Sequence, residues 1–105
     1  MVNEAIIKLT QDNGRVKLVG QMNFDSVASL LNSAQISFDN GDIEVDLSEV
    51  SRFNSASLAL LLEWMKKAEQ KGVQIKYHSA PEQLMVIAKA YGIAHELPLS
   101  NTEQD

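Results

Sequence analysis

The chain contains no cysteine, which excludes disulfides, thiolate-ligated zinc and a cysteine nucleophile. Basic residues are also scarce. Nine Lys and Arg stand against 14 Asp and Glu, for a formal net charge of -5 at pH 7. Nucleic-acid binders carry the opposite sign, in basic patches that release counterions, so no nucleic-acid partner is expected. No apolar run approaches the roughly 20 residues that cross a bilayer. Met1-Val2-Asn3-Glu4-Ala5 lacks the basic start of a secretory leader, and no long apolar stretch follows it. A cytoplasmic location is therefore expected, peripheral to the inner membrane only through a complex, with no direct membrane insertion. The acidic balance also argues against an anionic membrane surface.

What remains is an ordinary globular composition, 45% hydrophobic and 22% charged over 105 residues. That length is one domain. A domain of this size buries roughly two-thirds of its unfolded surface, enough for a core without covalent staples.

Four segments alternate apolar and polar residues: Ala5 to Leu9, Val16 to Gly20, Ile43 to Leu47 and Val73 to Tyr77. In the third, Ile43, Val45 and Leu47 oppose Glu44 and Asp46; in the fourth, Val73, Ile75 and Tyr77 oppose Gln74 and Lys76. Period-two alternation predicts half-buried strands. Asp12-Asn13-Gly14 reads as a hairpin turn between the first two. Helical spacing predicts helices from about Phe24 to Ile36, Ser55 to Lys71 and Ala80 to Tyr91. Val27, Leu30, Leu31 and Ala34 mark the first of these, and Leu84, Ile87, Ala88 and Tyr91 the third. Ser79-Ala80-Pro81-Glu82 reads as a capping box for the third helix, with Gly92 as its stop, and Gly72 ends the second. A short extended piece is expected around Glu96 to Leu99, and a frayed tail over 100–105.

The order β-β-α-β-α-β-α implies parallel neighbours joined by right-handed crossovers. Strands buried on both faces would be continuously apolar, and these alternate. The predicted fold class is thus α/β, a mixed four- to five-stranded sheet with helices mainly on one face, in one domain over 1–99.

The segment Val45-Asp46-Leu47-Ser48-Glu49-Val50-Ser51-Arg52-Phe53-Asn54-Ser55 carries most of the functional information. A strand runs into a loop, Asn54 is a good N-cap, and Ser55 stands at the first helical position. There its hydroxyl sits at the positive end of the helix dipole, where a phosphate or a partner's acidic group is well received. The plainer alternative is that the two residues only start a helix. In that helix Leu58, Leu61, Leu62 and Met65 form a core stripe, and Ser57, Leu60 and Trp64 lie on an adjacent arc. This apolar arc is wider than one sheet normally covers. Leu60 and Trp64, an i, i+4 pair, read either as an interface ridge or as packing beneath a neighbouring helix.

The run "VDLSEVSRFNSASLALLL" resembles the signature of STAS domains, in which a D-L-S-x-V strand leads through a loop to an Asp-Ser or Asp-Thr pair opening a helix. The resemblance extends from about Gly14 to Pro98. Two positions depart from the phospho-switch members: Asn54 replaces the acidic residue, and Ala56-Ser57 replaces a Gly-containing pair. The first removes a charge beside Ser55, and the second adds a side chain where a partner backbone would approach. Within the family, "VSRFNSASLALLLEWMKKAEQKG" and "IAKAYGIAHELPL" are most similar to the small, MlaB-like STAS subunit of Mla-type phospholipid-transport ABC complexes.

The resemblance implies a non-catalytic accessory subunit that binds the cytoplasmic ABC-transporter ATPase subunit and supports assembly and activity. Such complexes serve the lipid asymmetry of the outer membrane. It also implies that the hydroxyl of Ser55 belongs to the contact. The expected partner-binding set is Phe53, Asn54, Ser55, Ser57, Leu60 and Trp64, with Ser55 as candidate phosphosite. The alternative is an anti-sigma-factor antagonist switched by phosphorylation at Ser55. Asn54 and Ser57 favour the first.

No enzyme constellation is visible: G-x-S-x-G, G-x-x-x-x-G-K-S/T and H-E-x-x-H are all missing. His78 and His95 are isolated. Asp46 could be imagined with Ser55 and His78 as a triad, but it reads as a strand-surface carboxylate. No catalytic residue, metal or cofactor is expected.

Overall fold

The computed structural model describes residues 7–33 and 36–100. Five strands form one sheet in the order β1-β2-β3-β4-β5. They are β1 (Lys8–Asp12), β2 (Arg15–Gln21), β3 (Ile43–Ser51), β4 (Ile75–His78) and β5 (Leu99–Ser100). The first pair is antiparallel and the rest are parallel. The helices are α1 (Phe24–Ser33), α2 (Ser55–Lys71) and α3 (Glu82–Ala90). Sheet composition and connectivity follow the expected class.

The alternation read from the sequence decides which face is covered. Val16, Leu18, Ile43, Val45, Leu47, Ile75 and Tyr77 are buried, while Lys17, Glu44 and Lys76 between them are exposed. One face therefore carries the three helices, and the other meets water. Helix α2 packs against α1 on one side, α3 on the other, and β4 beneath. Tyr77 pins this layer to the sheet, its hydroxyl donating 2.6 Å to the carbonyl of Leu61 in α2. Burial pushes the phenol far above its usual range, so it remains a donor at any ordinary pH.

Several boundaries differ from expectation for identifiable reasons. The first strand begins at Lys8, and Ala5 and Ile6 lie outside the described residues. Asp12 pairs with Arg15 across a two-residue turn in which Asn13 takes a φ of 59°. A Cβ on Gly14 would stand 2.5 Å from the carbonyl oxygen of Asp42, so glycine is required there by close approach.

The third strand continues past Leu47 to Ser51, because the β2–β3 register shifts between Lys17 and Val19. Ser48 and Glu49 are both exposed at this bulge, which breaks the alternation and restores it at buried Val50. Asp46 Oδ1 accepts from the Ser48 N–H at 2.9 Å and so satisfies the bulge. Strand β4 starts at Ile75, two residues later than the alternation suggested.

Helix α1 ends at Ser33, so Ile36 is buried outside it; Leu31 is 43% exposed, and Ala34 lies outside the described residues. The capping box expected at Ser79 does not form. Ser79 takes a φ of 59°, and Pro81 becomes the N-cap of α3 with no side-chain cap bond. Tyr91, read as part of the α3 core face, stands past the helix and is 61% exposed. Its end is as expected: Gly92 is left-handed, and the N–H groups of Gly92 and Ile93 bond to the carbonyls of Lys89 and Ala88. The extended piece expected around Glu96 to Leu99 starts later: Ala94–Glu96 form a 3-10 turn, Leu97 is extended, and β5 takes Leu99 and Ser100. Ser100 thus belongs to the sheet edge, and 101–105 lie outside the described residues.

Candidate functional site

The start of α2 is built by a reciprocal cap. Asn54 Oδ1 accepts from the Ser57 N–H at 3.0 Å, and the Asn54 N–H donates to Ser57 Oγ at 3.1 Å. Helix α1 starts the same way: Asn23 Oδ1 accepts from the Ser26 N–H at 2.9 Å, and the Asn23 N–H donates to Ser26 Oγ at 3.0 Å. Both caps thus carry Asn-x-x-Ser, and both serines are buried. The caps are joined, since the Met22 N–H donates to the Ser51 carbonyl at 2.9 Å and Ser57 Oγ donates to the Met22 carbonyl at 3.4 Å. The residue after each cap asparagine points outward. Phe24 is 67% exposed, and Ser55 is exposed. A rim results, with an aromatic ring on one helix start and a hydroxyl on the next.

The six expected partner-binding residues divide sharply. Ser55 is exposed, and Asn54 is half-buried with its side chain engaged in the cap. Phe53, Ser57, Leu60 and Trp64 are buried, at 5%, 0%, 0% and 5%. The interface ridge of Leu60 and Trp64 is therefore corrected: both are core residues of the folded chain. The reason is the position of α2 between two helices, so its buried arc widens to Ser57, Leu58, Leu60, Leu61, Trp64 and Ala68. Leu62, expected in the core, is 37% exposed instead, and Met65 is only half-buried. Nor does the Ser57 side chain obstruct the surface, because its hydroxyl turns inward to Met22 and Asn54.

The accessible stripe of α2 is Ser55, Ala59, Leu62 and Lys66, all exposed at helical i, i+4, i+7, i+11 spacing. Sequence reasoning missed this stripe. Its signal is the same spacing that places Ser55 and Leu62 on one side, whereas a helical wheel with one covering surface groups Leu62 with Leu58, Leu61 and Met65.

Asp46 and His78 face each other across β3 and β4, with no bond from either to Ser55 among the described residues. The Asp46 carboxyl is held below its usual range, chiefly by the Ser48 N–H and also by Lys17 and His78 nearby. His78 Nε2 is buried and lies 3.1 Å from Glu44 Oε1. Lys17 reaches Glu49 at 3.4 Å. The open face of the sheet is thus a field of opposed charges that largely neutralise one another. Among the described residues no cluster of His, Asp or Glu has the makings of a metal site, and no helix is long and apolar enough to cross a membrane.

A family model described as "Mlab, STAS domain" matches residues 7–99. The chain belongs to the STAS domain family. Among solved STAS structures, the anti-sigma factor antagonist SpoIIAA in its unphosphorylated form superposes with a TM-score of 0.69 at 12% identity, covering 93% of this chain and 90% of that one. An anti-sigma-factor antagonist (STAS) domain protein from Planctomyces limnophilus gives a TM-score of 0.65 at 16% identity, covering 97% and 94%. An antisigma-factor antagonist STAS domain from Rhodobacter sphaeroides gives 0.55 at 14%, covering 70% and 84%. At these identities the likeness is one of fold. Comparison with curated proteins gives no match. This STAS chain is thus MlaB-like by family model and shares its architecture with anti-sigma-factor antagonists.

Proposed function

We propose that the chain is a non-catalytic accessory subunit that docks onto the cytoplasmic ATPase of a phospholipid-transport ABC complex and supports its assembly and activity. The observation that carries this reading is the exposed Ser55 hydroxyl at the head of a stripe, Ser55–Ala59–Leu62, which no part of the described chain covers. Small and apolar residues at solvent positions let a partner backbone approach closely and lose water. The MlaB-type family match supports the choice of partner. The contact replaces the buried Leu60 and Trp64 with Ala59 and Leu62, and adds Phe24 at the rim.

A second reading, a phosphorylation switch for an anti-sigma factor, draws on the same exposed hydroxyl. A phosphate at the first position of a helix meets unpaired N–H groups and the dipole, and Ser57 does not stand in its way. Affinity purification of the tagged chain from its native cells separates the two. Recovery of an ABC ATPase with its permease and lipid-binding components supports the first. Recovery of a serine kinase, with a phosphate on Ser55, replaces it with the second.

A further inference from the structure

The loop that presents Ser55 is held from a third direction, by α3. Between Ser51 and Ser55 the backbone passes through Arg52 at a φ of 63°, a left-handed conformation that a residue with a Cβ adopts only at some cost. Phe53 follows and is buried, so its N–H faces away from bulk water and needs an acceptor. That acceptor is Gln83 Oε1 in the first turn of α3, at 3.1 Å and 30 residues away in sequence. Helix α3 has no side-chain cap of its own at Pro81, so the Gln83 amide is spent on the neighbouring loop. The other restraints, the Asn54–Ser57 cap and the Met22–Ser51 bond, fix the two ends of the loop. Gln83 fixes its middle.

We propose that Gln83 is a positioning residue of the docking surface, holding the strained Arg52–Phe53 segment so that Ser55 is presented in one geometry. This rests on the reading of Ser55 as the partner contact. Without the bond the Phe53 N–H loses its acceptor, and the left-handed Arg52 loses the restraint that balances its cost. The segment then samples other conformations, and binding is reduced by the fraction of molecules in the competent one. Gln83 is itself exposed, so its replacement leaves the core untouched.

The test uses three forms of the full chain: wild type, Gln83→Met, which keeps length but has no comparable acceptor, and Gln83→Glu, whose carboxylate accepts the same bond. Two quantities are measured: hydrogen exchange of the Phe53 amide, and affinity for the purified ATPase subunit of an Mla-type transporter from the same cells. Gln83→Met is expected to speed exchange at Phe53 and to weaken binding, each by roughly three- to tenfold, the factor one neutral hydrogen bond represents. Melting should change little, and Gln83→Glu should restore both quantities. Wild-type binding by Gln83→Met, or failure of Gln83→Glu to recover either quantity, overturns the role of Gln83 and leaves the Ser55 contact standing. No binding by the wild type overturns the Ser55 reading, and the positioning role falls with it.

Discussion

Asp46, read from the sequence as a strand-surface carboxylate, has a structural task in the fold. Its oxygen satisfies the Ser48 N–H at the β3 bulge, and that bond is the leading reason its carboxyl is held below the usual aspartate range. A carboxylate with a depressed folded-state pKa stabilises the fold above its unfolded pKa and gives that up as pH falls through the folded value. Asp46 should therefore titrate by NMR below the usual aspartate range, and its contribution to stability should be lost only in acid, as pH falls through that lowered pKa. A midpoint no lower than that of an exposed aspartate would mean that burial of the carboxyl offsets the Ser48 bond. Asn54 was legible as a cap because the residue type is strongly selected there. Ser57 was not legible as its reciprocal partner, since Asn-x-x-Ser departs from the usual Ser/Thr-x-x-Glu pattern.

At the scale of elements, α2 was readable end to end, because Asn54 opens it and Gly72, left-handed at a φ of 73°, closes it. Its faces were not readable. A helical wheel assumes one covering surface, whereas α2 has a helix on each flank and strand β4 below, so Trp64 is enclosed. Trp64→Ala should consequently lower stability by about 3–5 kcal/mol, the range for emptying a buried aromatic site, measured by chemical denaturation. A loss below about 1 kcal/mol would return Trp64 to the surface. The bond from Tyr77 to Leu61 is the polar tie between the same helix and the sheet. Tyr77→Phe keeps the ring and deletes that tie, so it should cost about 1 kcal/mol with no change in fold by NMR. A neutral substitution would mean that packing alone sets the height of α2. Strand β5 was legible only as a short extended piece near Leu99: two residues carry no period, and pairing with Tyr77 and His78 makes the strand.

For the whole molecule, alternation in four segments was enough to give a one-sided sheet, and glycine and asparagine signals placed most turns. The rim proposed for docking was only half visible. It arises where two helix starts, distant in sequence, are brought together by the Met22–Ser51 and Ser57–Met22 bonds, and no local pattern reports such a juxtaposition. Ser55 is the residue on which the account turns. In the free chain it is exposed at the first position of α2. Ser55→Asp should leave melting unchanged or slightly raised, because a carboxylate suits the helix N-terminus. In a complex the same charge would be desolvated against the partner.

The most direct measurement is the affinity of Ser55→Arg for the ATPase subunit by calorimetry, with a thermal melt of the free variant alongside. A normally folded variant whose binding falls by about two orders of magnitude or more, against a smaller loss for Ser55→Ala, is the result predicted. Wild-type affinity from a folded Ser55→Arg would contradict the account and leave Ser55 as a residue that merely begins a helix.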